Sequence, residues 1–368
     1  GMDVQGEQLR AWRLRRSAPP FWRSGPYCSS SMRRQCAVWA VVGWSACLGR
    51  QQASSSSRTA QSSCRCRAVS AEGQAVAAAG CRSALRECKD RGDWQQALSL
   101  LAELKKLRAD YDGESFDLAI ASCEMQNQWG RAMELSECLE RAPAQALRQA
   151  VEHRSAGSRS PGGICLKALQ VGSHVGSTPN DPLFGLLQLD DSAILVEPVP
   201  VLFQELVRNY GNRYPGNKFW FVNKAVSNHI GTATLHVPAE APEHPEWVTQ
   251  LGSLQAGHVE AHANEYNVKG LTSIDIKVET TTLNELIRER RIDHITVLHT
   301  DAEGHDFEIL MDLDMSLLKP ELILFEHRHM DGFLQSRSRY EQLLEHFLAN
   351  GYKRVGKFRE DTLLELRP

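Results

Sequence analysis

Three clusters in the second half of this chain place reactive side chains directly after short apolar runs. The first is QVGSHVG, Gln170 to Gly176, where Gly172 and Gly176 carry no side chain at a sharp turn that a ligand can approach. The second is Glu197, 25 residues past Gly172 and followed at once by Pro198. A carboxylate ending a strand there is placed to accept hydrogen bonds from both ribose hydroxyls of an adenosine cofactor. The spacing is not the G-x-G-x-x-G dinucleotide fingerprint, and no Walker-type lysine follows, so phosphate cradling is disfavoured. The third cluster runs from His294 to Leu310, HITVLHTDAEGHDFEIL, and is followed by ELILFEHRHM, Glu321 to Met330. It offers His299, Asp301, Glu303, His305, Glu326 and His327 as candidate bases at strand ends. Asp301, Glu303 and His305 are the leading catalytic candidates. Asp301 has a second reading, as the cap of a helix beginning near His305, and His305 as a surface helix residue. His258 and His262 (HVEAH) have metal-compatible spacing, but nothing in the sequence supplies further ligands. They read as part of a loop, and no metal site is assigned.

These residues need a scaffold that brings strand ends together. Apolar runs alternate with helical patterns from Leu166 onward: strands at 166–171, 193–196, 218–222, 232–237, 274–278, 295–298 and 322–325, with helices at 199–210 and 282–291. Lys353 to Phe358 and Thr362 to Leu366 form a terminal antiparallel hairpin. Such alternation predicts a doubly wound, mostly parallel α/β sheet of Rossmann-like type, with ligands at the carboxyl ends of its strands. The segment from Pro238 to Gly270 is polar and poorly periodic and reads as a lid or substrate loop. All ten cysteines lie at or before Cys165, so this domain must be held by apolar burial alone.

In order and spacing the clusters resemble the FkbM-type methyltransferases. The resemblance rests on Thr281-Thr282-Leu283 before a helix, Asp301-Ala302-Glu303-Gly304 after a strand, and a later strand ending in Glu326. EPVP (Glu197 to Pro200) and NKAVSNHIG (Asn223 to Gly231) extend it over roughly residues 166–368. It implies a class I methyltransferase fold using S-adenosyl-L-methionine, with transfer to a hydroxyl of a small molecule or sugar. The cofactor positions it implies are Gln170, Gly172, Ser173, Gly176, Glu197, Ala225 and Asp301. Gln170 stands where the family has an aspartate, and Asp181 is the nearby carboxylate able to substitute for it.

Upstream, Ala84, Leu85, Cys88, Trp94, Ala97, Leu100 and Leu104 recur 35 positions later as Ala119, Ile120, Cys123, Trp129, Ala132, Leu135 and Leu139. Each copy predicts two antiparallel helices, and the DWQQAL and QWGRAM pattern resembles pentatricopeptide repeats. That family binds RNA, but residues 81–140 carry eight Lys+Arg against twelve Asp+Glu, a net −4. Phosphate binding is therefore disfavoured, and a structural or protein-docking role is expected. The rival to the methyltransferase reading is an RNA-binding or docking protein whose second domain is non-catalytic.

The remaining stretch, between Glu7 and Glu72, holds eleven arginines and no acidic residue. Its apolar run Cys36 to Gly49 spans about 21 Å as a helix, short of a roughly 30 Å bilayer core, so no stable membrane span is expected. Basic, apolar and Ser/Arg-rich parts in that order resemble a two-part targeting leader, which points to a plastid or mitochondrion. The other reading is a disordered basic tail on a cytoplasmic protein. The expected organisation is a leader at 1–75, helical repeats at 76–149, a linker at 150–163 and a self-sufficient catalytic domain at 164–368.

Overall fold

The computed structural model describes residues 71–106, 113–155 and 166–367, apart from 179, 189, 217, 240, 242 and 243. The proposed leader lies outside these residues except for its last five. Among the described residues no helix is long and apolar enough to cross a membrane.

The described residues begin with four helices: α1 (Ala71–Arg91), α2 (Trp94–Lys106), α3 (Gly113–Met125) and α4 (Trp129–Ser155). The 35-residue offset survives in their turns. Gly92 (φ 68°) and Asn127 (φ 53°) both adopt the left-handed conformation that ends a helix. The next residues, Asp93 and Gln128, donate N–H bonds to the Cys88 and Cys123 carbonyls at 2.9 and 2.8 Å. Leu85, Cys88, Ala97 and Leu104 are buried, as are their counterparts Ile120, Cys123, Ala132 and Leu139.

The rest of the chain builds the sheet. Its strands are β1 (Lys167–Val171), β2 (Ser192–Val196), β3 (Lys218–Val222), β4 (Ala225–Val226), β5 (Gly231–Pro238), β6 (Ser273–Thr281), β7 (Val297–Thr300), β8 (Leu322–Glu326), β9 (Tyr352–Lys357) and β10 (Asp361–Leu366). Seven of them form one sheet in the order β3-β2-β1-β7-β8-β10-β9, in which β10 runs antiparallel to both neighbours. Side chains alternate between two cores, as a sheet covered on both faces requires. Leu169, Val171, Ile194, Val196, Leu298, Ile323 and Phe325 pack on one face. There they meet α7 (Leu283–Glu289), α8 (Asp306–Met311) and α9 (Ser338–Ala349). Ala168, Ala193, Leu195, Val297, Leu322 and Leu324 point the other way, onto α4 and α5 (Pro200–Arg213).

Two segments depart from the sequence reading. The strands predicted at 232–237 and 274–278 leave the main sheet and, with the two-residue β4, form a separate three-stranded sheet in the order β4-β6-β5. The segment read as a loop contains a 3-10 turn (Glu246–Gln250) and helix α6 (His258–Glu265), with Trp247, Val248, Leu251, Val259 and Leu271 in a small core of its own. Its elements are too short for a helical period to show in sequence.

The start of the expected linker needs correction, and the same helix bears on whether the following domain stands alone. Helix α4 runs on to Ser155, so residues 150–155 are helical. Its Ala142, Leu147 and Val151 belong to the sheet's own core, and Arg154 pairs with Glu321 and Glu365 at 3.4 and 3.1 Å. Each such buried Leu or Val contributes roughly 1.5–3 kcal/mol. A chain beginning at residue 160 is therefore expected to melt at least about 10 °C below one beginning at residue 71, or to precipitate, in a thermal denaturation comparison. Equal melting temperatures would show that α4 is dispensable.

Candidate functional site

Two cavities open at the carboxyl ends of β1, β2, β7 and β8 and share Gly172, His174, Gln250, Asp301 and Glu303. The larger encloses ≈ 1200 Å³ and the smaller ≈ 710 Å³, open solvent included. Their meeting point depends on Gly172. Its φ is +73°, and a Cβ there would fall 1.8 Å from the Asp301 carbonyl oxygen. Only glycine lets the turn after β1 lie against the turn after β7.

The smaller cavity is lined by Glu197, Ala225, Val226, Leu235 and His305, among others. Glu197 directly follows β2 as predicted, but it is 4% exposed rather than open to solvent. Its Oε2 accepts the His174 N–H at 2.9 Å and its Oε1 the Val199 N–H at 2.8 Å. Burial pushes its carboxyl up to about 7. Two lone-pair sites remain on the two oxygens. The Val199 bond holds the residue just before α5, which itself has no side-chain cap, so the carboxylate fixes the entry to the helix and lines the cavity. His305 sits at the start of α8, half-buried, with Nε2 3.0 Å from Ser227 Oγ. Burial lowers its pKa, and it is not a surface helix residue.

The larger cavity contains Gln170, Ser173, Asp181, His299, Asp301, Glu303, Glu326 and Asp361. Gln170 pairs in register with His299, and His299 with Leu324, which puts them in one row across the sheet. Gln170 Nε2 donates to Asp181 Oδ2 at 3.1 Å, while its Oε1 is buried without a hydrogen-bond partner. Asp181 thus stands beside Gln170, and burial raises its carboxyl to about 6. One row further along, burial and then the charges of neighbouring carboxylates hold Asp301 and Glu326 well above the usual carboxylate range. Burial, then Asp306, raises Asp361 to about 7. Helix α4 supplies the opposite wall through Leu139, Glu140, Pro143 and Ala144.

Two expectations change here. Gly176 lines neither cavity; its Cβ would strike Leu206 and Tyr210 of α5 at 2.4 and 2.5 Å, so it serves packing. Asp301 does not cap α8. Asp306, inside the helix, takes the Ala302 N–H on its own Oδ2 at 3.1 Å.

The HVEAH segment is helical, and the ligands it lacked in sequence arrive from elsewhere. His258, His262, Glu303 and His329 bring one donor atom each to within 4.8 Å of one another. His258 Nε2 lies 2.8 Å from Glu303 Oε2. Burial opposes ionisation of Glu303, but that hydrogen bond and the surrounding imidazoles outweigh it and lower its pKa. Burial brings His262 down to about 4 and His329 to about 3. His329 has no sequence signal, because the fold alone brings the turn after β8 beside α6.

Asp306 gives a direct check on these electrostatics. It is fully buried, and burial raises its pKa from 3.8 to about 7. The folded chain therefore holds a proton that the unfolded chain releases, and stability falls as pH rises from about 4 to about 7. Asp306→Asn is expected to raise the melting temperature relative to the parent at pH 8, by the equivalent of roughly 1–4 kcal/mol, and to change it little at pH 4. Equal effects at both pH values would contradict the shift.

The methyltransferase FkbM domain family matches residues 170–354, half of this 368-residue chain. Three solved structures are similar at low identity. A human methyltransferase 10 domain containing protein shares 12% identity over 60% of this chain and 82% of its own, with a TM-score of 0.31. Methyltransferase FkbM from Methylobacillus flagellatus KT shares 12% over 73% of this chain, which spans 58% of that structure, with a TM-score of 0.34. The plantazolicin methyltransferase BpumL in complex with SAH shares 10% over 74% of this chain and 99% of its own, with a TM-score of 0.28. A search of curated proteins gives no match. The family match begins at Gln170 and takes in both cavity-lining turns, and on it this chain belongs to the FkbM-domain methyltransferases.

Proposed function

We propose that this chain transfers a methyl group from S-adenosylmethionine to a hydroxyl of a small molecule or sugar. The observation that carries the reading is the junction of Gly172, Glu197 and Asp301 just past the ends of three strands, within the family-matched residues. These residues fit the cofactor's parts. Glu197 keeps lone pairs for two ribose hydroxyls, and Val226 and Leu235 offer an apolar wall to a base. The unpartnered Gln170 Oε1 can accept from an ammonium, which is how a glutamine serves where the family has an aspartate. Ser173 and Ala225 line the same cavities.

When bound, S-adenosylmethionine supplies an electrophilic methyl, and the chain supplies position and a proton acceptor. Asp301 suits that role because its raised pKa brings it closer to the range in which a base works near neutral pH. A carboxylate held as low as Glu303 is a poorer base. The acceptor would occupy the larger cavity, against Trp247, Tyr266 and the α4 wall. On this reading the upstream helices shape the acceptor site, while their net −4 charge over residues 81–140 speaks against RNA. Their likeness to pentatricopeptide repeats is limited to the helical hairpins and the turn geometry they share.

Calorimetric titration with S-adenosylhomocysteine tests the proposal, with saturable binding expected for the full chain. Glu197→Ala removes two charge-assisted hydrogen bonds of roughly 1.5–3 kcal/mol each, a loss of about a hundredfold or more in affinity. It also strips the His174 and Val199 N–H groups of their acceptor, so the melting temperature should fall as well. A chain that binds neither S-adenosylhomocysteine nor S-adenosylmethionine at millimolar concentration would support the rival, non-catalytic reading.

A further inference from the structure

We propose that His258, His262, Glu303 and His329 form a binding site for a divalent first-row transition-metal ion in the wall of the larger cavity. Three separate segments converge to build it: α6, the turn after β7 and the turn after β8. His258 and His262 are four apart on one helix and so share a face. The donor set is three imidazoles and one carboxylate, the borderline chemistry that suits zinc, iron, cobalt or nickel and not calcium or magnesium. Ligands around such an ion sit about 3.3 Å apart when its bonds are near 2.0 Å. The four donor atoms all lie within 4.8 Å of one another, so the widest pair would close by at most about 1.5 Å while the His258–Glu303 pair at 2.8 Å opens slightly.

The surroundings prepare the donors. His262 Nδ1 donates to the His258 carbonyl at 3.1 Å, which leaves Nε2 bare of a proton, as a metal ligand requires. His258 has a side chain 1% exposed, spends Nε2 on Glu303 and leaves Nδ1 buried with no partner. That Nδ1 can take up the ring proton, which frees Nε2, the nitrogen facing Glu303, to ligate an ion. Glu303 sits at φ 48°, a conformation uncommon outside glycine. Two bonds pin it there, Ser253 Oγ to the Glu303 carbonyl at 2.8 Å and Gln255 Nε2 to the Gly304 carbonyl at 2.5 Å. Phe333 packs on the rings of His262 and His329, and Trp247 and Tyr266 on that of His262. His329 accepts the Leu334 N–H on Nδ1 at 3.1 Å and so carries its proton on Nε2, 3.4 Å from Glu326 Oε1. His258, His262 and Glu303 are therefore the primary donors. His329 joins by exchanging its tautomer and releasing Leu334.

Glu303 lines both cavities, so an ion bound to it lies beside Asp301 and the acceptor space. Resting on the methyltransferase reading above, its role would be to bind the acceptor hydroxyl and lower its pKa.

The full chain, stripped with a chelator and titrated with Co2+, tests the site without reference to activity. The expected result is roughly one Co2+ per chain, a ligand-field absorption band, displacement by Zn2+ and a raised melting temperature. His262→Ala and Glu303→Gln should each weaken Co2+ binding by more than about a hundredfold, since even losing a group behind the ligands costs ten- to a hundredfold. His236→Ala, on the separate sheet, should leave it unchanged. No absorption band in the parent chain, or a band that survives both Glu303→Gln and His262→Ala, would overturn the proposal and leave the cluster as a hydrogen-bonded core. Titrating the stripped chain with S-adenosylhomocysteine separates the two readings. Cofactor binding without cobalt binding removes only the metal site, and the converse removes only the methyltransferase reading.

Discussion

Burying several carboxyl groups together at the ends of neighbouring strands is the constraint on which the rest of this structure turns. Glu326 ends β8 in register with Asp361 of β10, and Asp301 follows β7, the next strand over. Adjacent strands lie about 4.8 Å apart, and two charges at that distance repel by about 3 kcal/mol at an effective dielectric of about 20. Burial and this mutual repulsion push the carboxyl groups of Asp301, Glu326 and Asp361 above their usual range. A cleft of this kind favours any cation that can enter. A sulfonium, an ammonium and a metal ion would each be drawn by the same row of acids. Arg328, which also lines the larger cavity, is already engaged with Glu360.

The helical segment covers one side of that cleft. On the face of the sheet that carries Gln170, His299 and Glu326, the covering helix near the strand ends is α4. Its lower part fills the sheet's core with Leu147 and Val151, and its middle faces the cavity with Leu139 and Pro143. Pro143 lies inside the helix and withdraws a backbone N–H from the Leu139 carbonyl one turn earlier. The repeat is thus not an appendage. Its second copy ends as a structural layer of the domain that follows it.

Where period and position agreed, the residues were enough to read the fold. The strands at 167–171, 192–196 and 218–222 are built on short apolar runs, so their identity and their membership of a mostly parallel sheet were legible, though not their order. Glu197 and Asp301 were legible because strand-end acids follow such runs directly. What escaped depended on contacts distant in sequence. The role of Gly176 is set by Tyr210, the turn before α8 by an aspartate inside the helix that takes the Ala302 N–H, and the course of α4 by a core formed some 170 residues later. A six-residue helix and an eight-residue one are also too short for amphipathic spacing to stand out from chance.

Glu303 shows why the two halves of the site should be considered together. It is the one carboxylate shared by both cavities whose pKa is lowered rather than raised. Its negative charge is also the first neighbouring charge raising Asp301 and Glu326. Whatever neutralises Glu303, a His258 proton or a metal ion, therefore lowers the pKa of the two groups nearest the acceptor space. Linkage is reciprocal for binding. A cation held by α6 would make Asp301 a weaker proton holder, and a cationic cofactor beside Asp301 would compete with it for the same field. The affinity of each site must then depend on whether the other is occupied, with Glu303 as the shared term in both.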